Sequence, residues 1–382
     1  MNIHLFNPEN DLALANGGIN FTPPKSAIDL ARAGAALPMW YGEPGDFFLG
    51  AVNGAWFEKI SNDFGLDVKP YGSAYACSEL QSCNILPGGW SAVTRKNLLD
   101  MGFQPDALPT IDNIDAWRNL SSRVTSSDII SKIIADFDDF GIKDKESSLP
   151  FTAVSLSDAL SHIARIGTAM IKLPWSGSGR GQQVSDRTTP LELERRLSGM
   201  IKRQGAVEIT PYYHKKLDFA MLWENGRFVG YSLFETDTHG GWTHNILMPD
   251  TAIEDRINAT LQRRFDFDTL KMHLTRLLNT TAAEYGYHGP VGFDFIVAEE
   301  QDTTFVVPIE INWRRTMGHV AHRLANRFVA PGRRGQFLIT PRTAELPESQ
   351  YTVSENRVYS GTLDITPPVG AFRFLLTVSP SK

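Results

Sequence analysis

Apolar positions along the chain recur either every second residue or every third and fourth, and the switches between these periods predict the elements. Ile3 to Phe6 is a short apolar run that ends on Asn7-Pro8-Glu9-Asn10-Asp11, which reads as a buried strand entering a turn-rich acidic loop. A helix is predicted over 25–34 after Pro23-Pro24, and another over 90–102 with Ser91 as its cap and Gly102 as its stop. Between them, 42–90 is rich in Gly, Pro and aromatic residues without a clear period and completes a small α/β unit. Ile129, Ile130, Ile133, Ile134 and Phe137 recur at helical spacing within a helical pattern running over 114–141, and a charged linker follows over 143–148. A helix begins near Ser157, carries Leu160, Ile163 and Ile166 on one face, and stops at Gly167.

The second half of the chain is richer in strands. Thr189-Pro190 opens a helix over 191–203, and strands are expected over 206–210, 218–223 and 227–235, the last two joined by Asn225-Gly226, a dipeptide suited to a tight hairpin. A long amphipathic helix over 265–285 ends at Gly286. Strands over 293–297 and 305–312 flank a polar turn, and a helix bearing His319 and His322 follows from about Gly318. Beyond Pro331, prolines separate β-prone runs, which reads as a β-rich appendage or edge. No internal repeat is evident.

Composition narrows the function classes. A length of 382 residues implies two or three domains, and 42% hydrophobic with 21% charged residues excludes a disordered chain. A net charge of −6 gives no basic footprint for nucleic acid; the positive residues that do gather are Arg314, Arg315, Arg323, Arg327, Arg333 and Arg334. Cys77 and Cys83 are too few for a disulfide framework and wrongly spaced for zinc. With no basic start and no run near ~20 apolar residues, the expectation is a cytoplasmic protein with no membrane partner.

Two stretches carry chemistry. Met170-Ile171-Lys172 reads as a strand delivering a lysine to the loop Ser176-Gly177-Ser178-Gly179-Arg180-Gly181, after which Gln182-Gln183-Val184 resumes as strand. Glycines let a ligand approach main-chain N–H groups, and Lys172 and Arg180 add positive charge, a combination that suits phosphate. A P-loop would need Gly-Lys-Ser/Thr after the glycines, a dinucleotide fold would need a helix there, and the kinase motifs do not occur. The second stretch is acidic. Alternation puts Asp294 on one strand face, with Glu310 and Asn312 sharing a face of the next, and these hard oxygen donors suit Mg²⁺ held partly through phosphates. Their strands are too apolar for a solvated sheet face. His239 and His244, in a polar segment with a Gly-Gly hinge, are assigned to substrate contact; histidine spacing does not suggest zinc.

In this order, Lys172, the loop 176–181, Glu208-Ile209-Thr210-Pro211, Asp294 and Glu310-Ile311-Asn312-Trp313-Arg314 resemble the ATP-grasp superfamily, with an ATP-binding core of the biotin carboxylase and carbamoyl phosphate synthetase type. The resemblance implies an α+β fold of two subdomains clamping ATP, preceded by a small α/β domain. Its implied divisions are an N-terminal domain over 1–105, a helical connection over 106–148, a lid over 149–210, a core with the metal hairpin over 211–330, and the β-rich segment over 331–382. It implies that Lys172 and the loop Ser176, Gly177, Ser178, Gly179, Arg180 and Gly181 contact phosphates. Glu208, Ile209 and Thr210 would read adenine, with Lys216 or Asp218 near the ribose. Asp294, Glu310 and Asn312 would hold two Mg²⁺ ions, and Arg314, aided by Arg315, would steady the transferred phosphoryl group.

The implied activity is an ATP-dependent ligase that activates a small-molecule carboxylate as an acylphosphate for attack by an amine. The alternative is a regulatory or degenerate nucleotide-binding protein without turnover, because the upstream phosphate lysine of the superfamily is missing: Ser91 stands near its place, with Arg95 and Lys96 as stand-ins. Asp294 and Glu310, 16 positions apart, imply a longer hairpin turn. The oligomeric state stays open, a homodimer among the options.

Overall fold

Three sheets organise the chain in the computed structural model, which describes residues 1–72, 83–177, 181–238, 240–343 and 349–379. The first is parallel, in the order Lys69–Pro70, Phe47–Phe48, Asn2–Leu5, Asn84–Pro87. Ile3 and Phe48 are buried in it, and Asn2–Leu5 leads into the helix Asn10–Asn16. Loops leaving the strand C-terminal ends therefore gather at one edge, where α/β sheets place ligand-facing residues.

The second sheet is antiparallel and small: Phe151–Ala153, Val207–Pro211, Ala169–Lys172, Gln182–Val184. Helices Leu156–Ile166 and Pro190–Gln204 bury Ala159, Leu193 and Leu197 with Ile171 and Ile209 in a core separate from the others. Ser155 and Thr189 cap these helices by accepting the N–H of Asp158 and Glu192.

The third sheet has nine strands, in the order Thr303–Asn312, Val291–Glu300, His214–Glu224, Arg227–Thr236, Trp242–Leu247, Gly335–Pro341, Phe372–Val378, Arg357–Asp364, Gln350–Ser354. One face packs Phe219, Phe293 and Phe295 against Ile130 and Ile134 of the helix Arg123–Asp136 and Leu274 of the helix Phe267–Glu284. A second core joins Phe6, Trp40 and Phe64 of the N-terminal region to Leu324 and Phe328 of the helix Met317–Phe328 and to Phe374 near the C-terminus. The strands after Pro331 thus continue the large sheet and share a core with the first 70 residues.

Several expectations change. The pattern over 114–141 is two helices, Ile111–Leu120 and Arg123–Asp136. Ser121 donates its hydroxyl to the Trp117 carbonyl and Ser122 accepts from the Val124 N–H, so side chains end one helix and start the next. The linker over 143–148 holds a short helix, Lys145–Ser148, capped by Asp144. Asn225-Gly226 turns as expected, both residues at positive φ. The acidic hairpin has long strands and a tight turn, not a long turn: Gln301 and Asp302, at φ 48° and 61°, join strands of 10 residues each. Among the described residues no helix is long and apolar enough to cross a membrane.

Candidate active site

A cavity of about 1050 Å³ lies between the small sheet and the large one, walled by Lys172, Gln182 and Thr210 on one side and by Asp218, Asp294, Glu310, Asn312 and Arg314 on the other. A groove of about 630 Å³ near Lys25, Arg342 and Phe372 lies far from these residues in the fold. The acidic side chains reach the cavity through strand register. Asp294 pairs directly with Glu310 and Gly292 with Asn312. Beyond Asp294 the register shifts, Phe295 pairing with Pro308, so one residue bulges at Ile309. Proline cannot donate to a ladder, and here it sits on the outermost strand, where a bulge is tolerated.

Three cations and four carboxyl groups interlock in and beside the cavity. Arg123, the first residue of its helix and buried, donates to Glu310 Oε1 at 2.6 Å, to Leu173 O and Ser176 Oγ at 2.7 Å each, and to Ser176 O at 3.0 Å. Arg314 donates from Nε and Nη2 to the two oxygens of Asp11, both at 2.7 Å. Lys172 lies opposite Glu208 in register, with Nζ 3.5 Å from Oε1, and Ser127 Oγ donates to Glu208 Oε2 at 2.7 Å. Asn312 donates its amide to Asp294 Oδ2 at 2.9 Å.

Electrostatics separates the two hairpin carboxyls. Burial and then the neighbouring Glu310 charge push Asp294 up to about 7, against the pull of Arg314 and Asn312. Burial would raise Glu310 as well, but Arg123, Lys172 and Arg314 together hold it below the ordinary carboxylate range. One carboxylate is thus ionised at neutral pH while its partner is poised to ionise once positive charge arrives.

The donor chemistry fits Mg²⁺. Glu310 Oε2 and Asp294 Oδ1 accept no hydrogen bond among the described residues, and the Asn312 carbonyl oxygen is the end of that amide left unused. Asp294, Glu310 and Asn312 are the hard oxygen donors here, and Mg²⁺ commonly takes only one or two carboxylates from a protein, with phosphate and water completing its shell.

The expected residues divide into those that meet at the cavity and those that do not. Lys172, Gly177, Thr210, Asp218, Asp294, Glu310, Asn312 and Arg314 line it, and Ser176 sits beside it under Arg123. Gly181, at φ 71°, closes the loop by accepting the Leu173 N–H at 3.1 Å. Ser178, Gly179, Arg180 and His239 lie outside the described residues. Glu208 faces Lys172, and Ile209 is buried in the core of the small sheet, so neither side chain opens on the cavity. Lys216 turns away to Glu299 at 2.6 Å, and Lys215 pairs with Asp218 at 2.7 Å at the cavity wall, because a bulge near Leu217 changes which side chains face it. His244 points to Glu235 and Gln336, while Trp242 and Asn245 line the cavity. Arg315 does not line the cavity: it donates to Glu224 at 2.5 Å and stacks 4.6 Å from the Tyr41 ring. Arg95 and Lys96 are engaged with Pro109 and Asp100.

Sequence reasoning missed Arg123 and Asp11. Arg123 had a signal: a cation at a helix N-terminus opposes the helix dipole, so a position that keeps one invites another explanation. Asp11 was visible as part of an acidic loop after the first strand, but nothing local pairs it with a residue 303 positions away.

No protein-family model and no curated protein sequence matches this chain. Solved structures do. Biotin carboxylase from Campylobacter jejuni aligns over 100% of this chain and 88% of its own at 13% identity, with a TM-score of 0.51. Phosphoribosylamine–glycine ligase from Thermotoga maritima aligns over 100% and 93% at 12% identity, with a TM-score of 0.52. With a small four-stranded antiparallel sheet and its helices facing a large antiparallel sheet, and a parallel-sheet unit before them, the chain has the ATP-grasp fold.

Proposed function

We propose that this protein is an ATP- and Mg²⁺-dependent ligase. A substrate carboxylate oxygen attacks the γ-phosphorus, ADP leaves, and an amine then displaces phosphate from the acylphosphate. The observation that carries this reading is the convergence on one cavity of Lys172, Arg123 and Arg314 with the register-matched Asp294, Glu310 and Asn312. The similar biotin carboxylase structure is a β,γ-ATP complex, which supports placing ATP in that cavity.

In this reading Lys172 and Arg123 neutralise phosphate charge, so Arg123 takes the part of the missing upstream lysine. Arg314 stabilises the transferred phosphoryl group, and Asp218 with Lys215 lies toward the ribose. Asp294, Glu310 and Asn312 hold Mg²⁺, which when bound neutralises charge on the β- and γ-phosphates. The loop 176–181 covers the phosphates, with 149–210 acting as the lid over the core 211–330. The remaining divisions are 1–105, 106–148 and 331–382. Thr210 borders the nucleotide, while Trp242 and Asn245 extend the cavity toward the carboxylate and amine.

The test is calorimetric titration with Mg-AMP-PNP, followed by assays for ADP release across panels of carboxylates and amines. Binding plus substrate-dependent ADP release that Glu310→Ala abolishes is expected. Tight binding with no release under any pair would favour the non-turnover alternative, and no binding would overturn the nucleotide reading.

A further inference from the structure

The N-terminal region reaches the site at Asp11. Asp11 grips Arg314 side-on, accepting from Nε at Oδ1 and from Nη2 at Oδ2, both at 2.7 Å. That fork uses two of the five guanidinium N–H groups and leaves the Nη1 pair and one Nη2 hydrogen, which find no side-chain partner among the described residues. Arg314 borders both the main cavity and a small cleft shared with Asp11, Trp175 and Glu310.

Asp11 is held stiffly. Buried Asn7, four residues earlier, donates to Gly89 O at 2.8 Å and Thr94 Oγ1 at 3.1 Å, and accepts the Gly89 N–H at 3.2 Å. The Arg315 N–H donates to Gly88 O at 2.8 Å, so the backbone next to Arg314 is pinned to the same loop. Arg118 ties the end of the Asp11 helix to the lid by donating to Leu14 O at 2.7 Å while stacking 4.0 Å from the Trp175 ring. Asp11 also touches the glycine loop: a Cβ at Gly177 would overlap its Oδ2.

The charge balance shows what this grip prevents. Asp11 exerts the strongest pull on Arg314 and Glu310 and Asp294 weaker ones, so without Asp11 the remaining attraction is toward the hairpin. We propose that Asp11 is a positioning residue that holds Arg314 away from the two hairpin carboxylates and aims its free N–H edge at the phosphoryl group being transferred. The proposal rests on the ATP reading above, and it makes the N-terminal region part of the reaction machinery.

The experiment compares Mg-ADP and Mg-AMP-PNP by calorimetry for wild type, Asp11→Ala and Asp11→Asn, with thermal melts to verify folding. Wild type should prefer AMP-PNP because Arg314 meets its γ-phosphoryl group. In Asp11→Ala that preference should fall by about tenfold or more while ADP affinity holds, since a displaced catalytic group commonly costs that much. Formate, filling the space left by the deleted carboxylate, should restore the preference in Asp11→Ala; a structural role would show no such rescue. Asn, able to accept only one of the two N–H bonds, should fall between. An unchanged preference in both folded variants overturns the proposal and leaves the ATP reading intact. Tighter AMP-PNP binding by Asp11→Ala overturns it too, because Asp11 would then be a block. No nucleotide binding by wild type overturns both.

Discussion

Arg123 and Glu310 offer a sharp test of how the site is held before any ligand arrives. The pair meets at 2.6 Å with side chains 8% and 23% exposed. Unit charges about 4 Å apart at an effective dielectric of ~20 attract by about 4 kcal/mol, and the quarter exposure of Glu310 with competition from Lys172 and Arg314 should cut the coupling to about 2 kcal/mol. Removing one partner strands the other. Arg123→Met leaves the Glu310 carboxylate without its direct partner, with only Lys172 and Arg314 nearby, and should cost about 3 kcal/mol. Glu310→Gln should cost less, about 1–2 kcal/mol, because Arg123 keeps its bonds to Leu173 and Ser176. The double variant should therefore be well short of the sum. Urea unfolding followed by both fluorescence and circular dichroism measures all four corners, coincidence of the two probes checking that one transition is being read. A coupling below about 0.5 kcal/mol would refute the reasoning, since it would mean the two charges are solvated separately.

Two further outcomes follow from the charges. Asp294 keeps its proton up to about 7, whereas the unfolded chain releases it near 3.8, so stability should fall as pH rises through that window. On the proposed reading, Mg²⁺ bound at Asp294 displaces the same proton, so its affinity should climb from about pH 5.5 to about pH 8 and flatten in Asp294→Asn; equal wild-type affinity at both pH values sinks this account. Burial notwithstanding, Arg315, His319 and Arg323 hold Glu224 down to about 2, so its contribution is present above its unfolded value of 4.5 and lost as pH falls toward 2. Arg315→Met should remove about 3 kcal/mol at neutral pH while changing Mg-AMP-PNP affinity less than about twofold; a large affinity loss in a stable variant would return Arg315 to the phosphoryl site.

The order of elements was legible because it is written in local periods and caps. Ser91, Gly167 and Asn225-Gly226 mark boundaries through bonds and dihedrals within a few residues, and the hairpin's alternation put Asp294 and Glu310 on matched faces. The differences arose at a helix junction and at strand bulges, which a periodic pattern does not encode. Two serines divided one periodic stretch into two helices. Bulges changed which of Lys215 and Lys216 faces the cavity, because a single extra residue inverts every side chain beyond it.

The primary sequence by itself determined the lysine strand and its loop, the Asn225-Gly226 hairpin and the acidic hairpin, since each rests on contacts between near neighbours. Only the tertiary structure decided the pairings: Asp11 with Arg314, Arg123 with Glu310, and Arg315 withdrawn to Glu224. Those choices depend on which charges burial brings within hydrogen-bond reach, and a Coulomb interaction across 303 residues leaves no periodic trace in the chain that makes it.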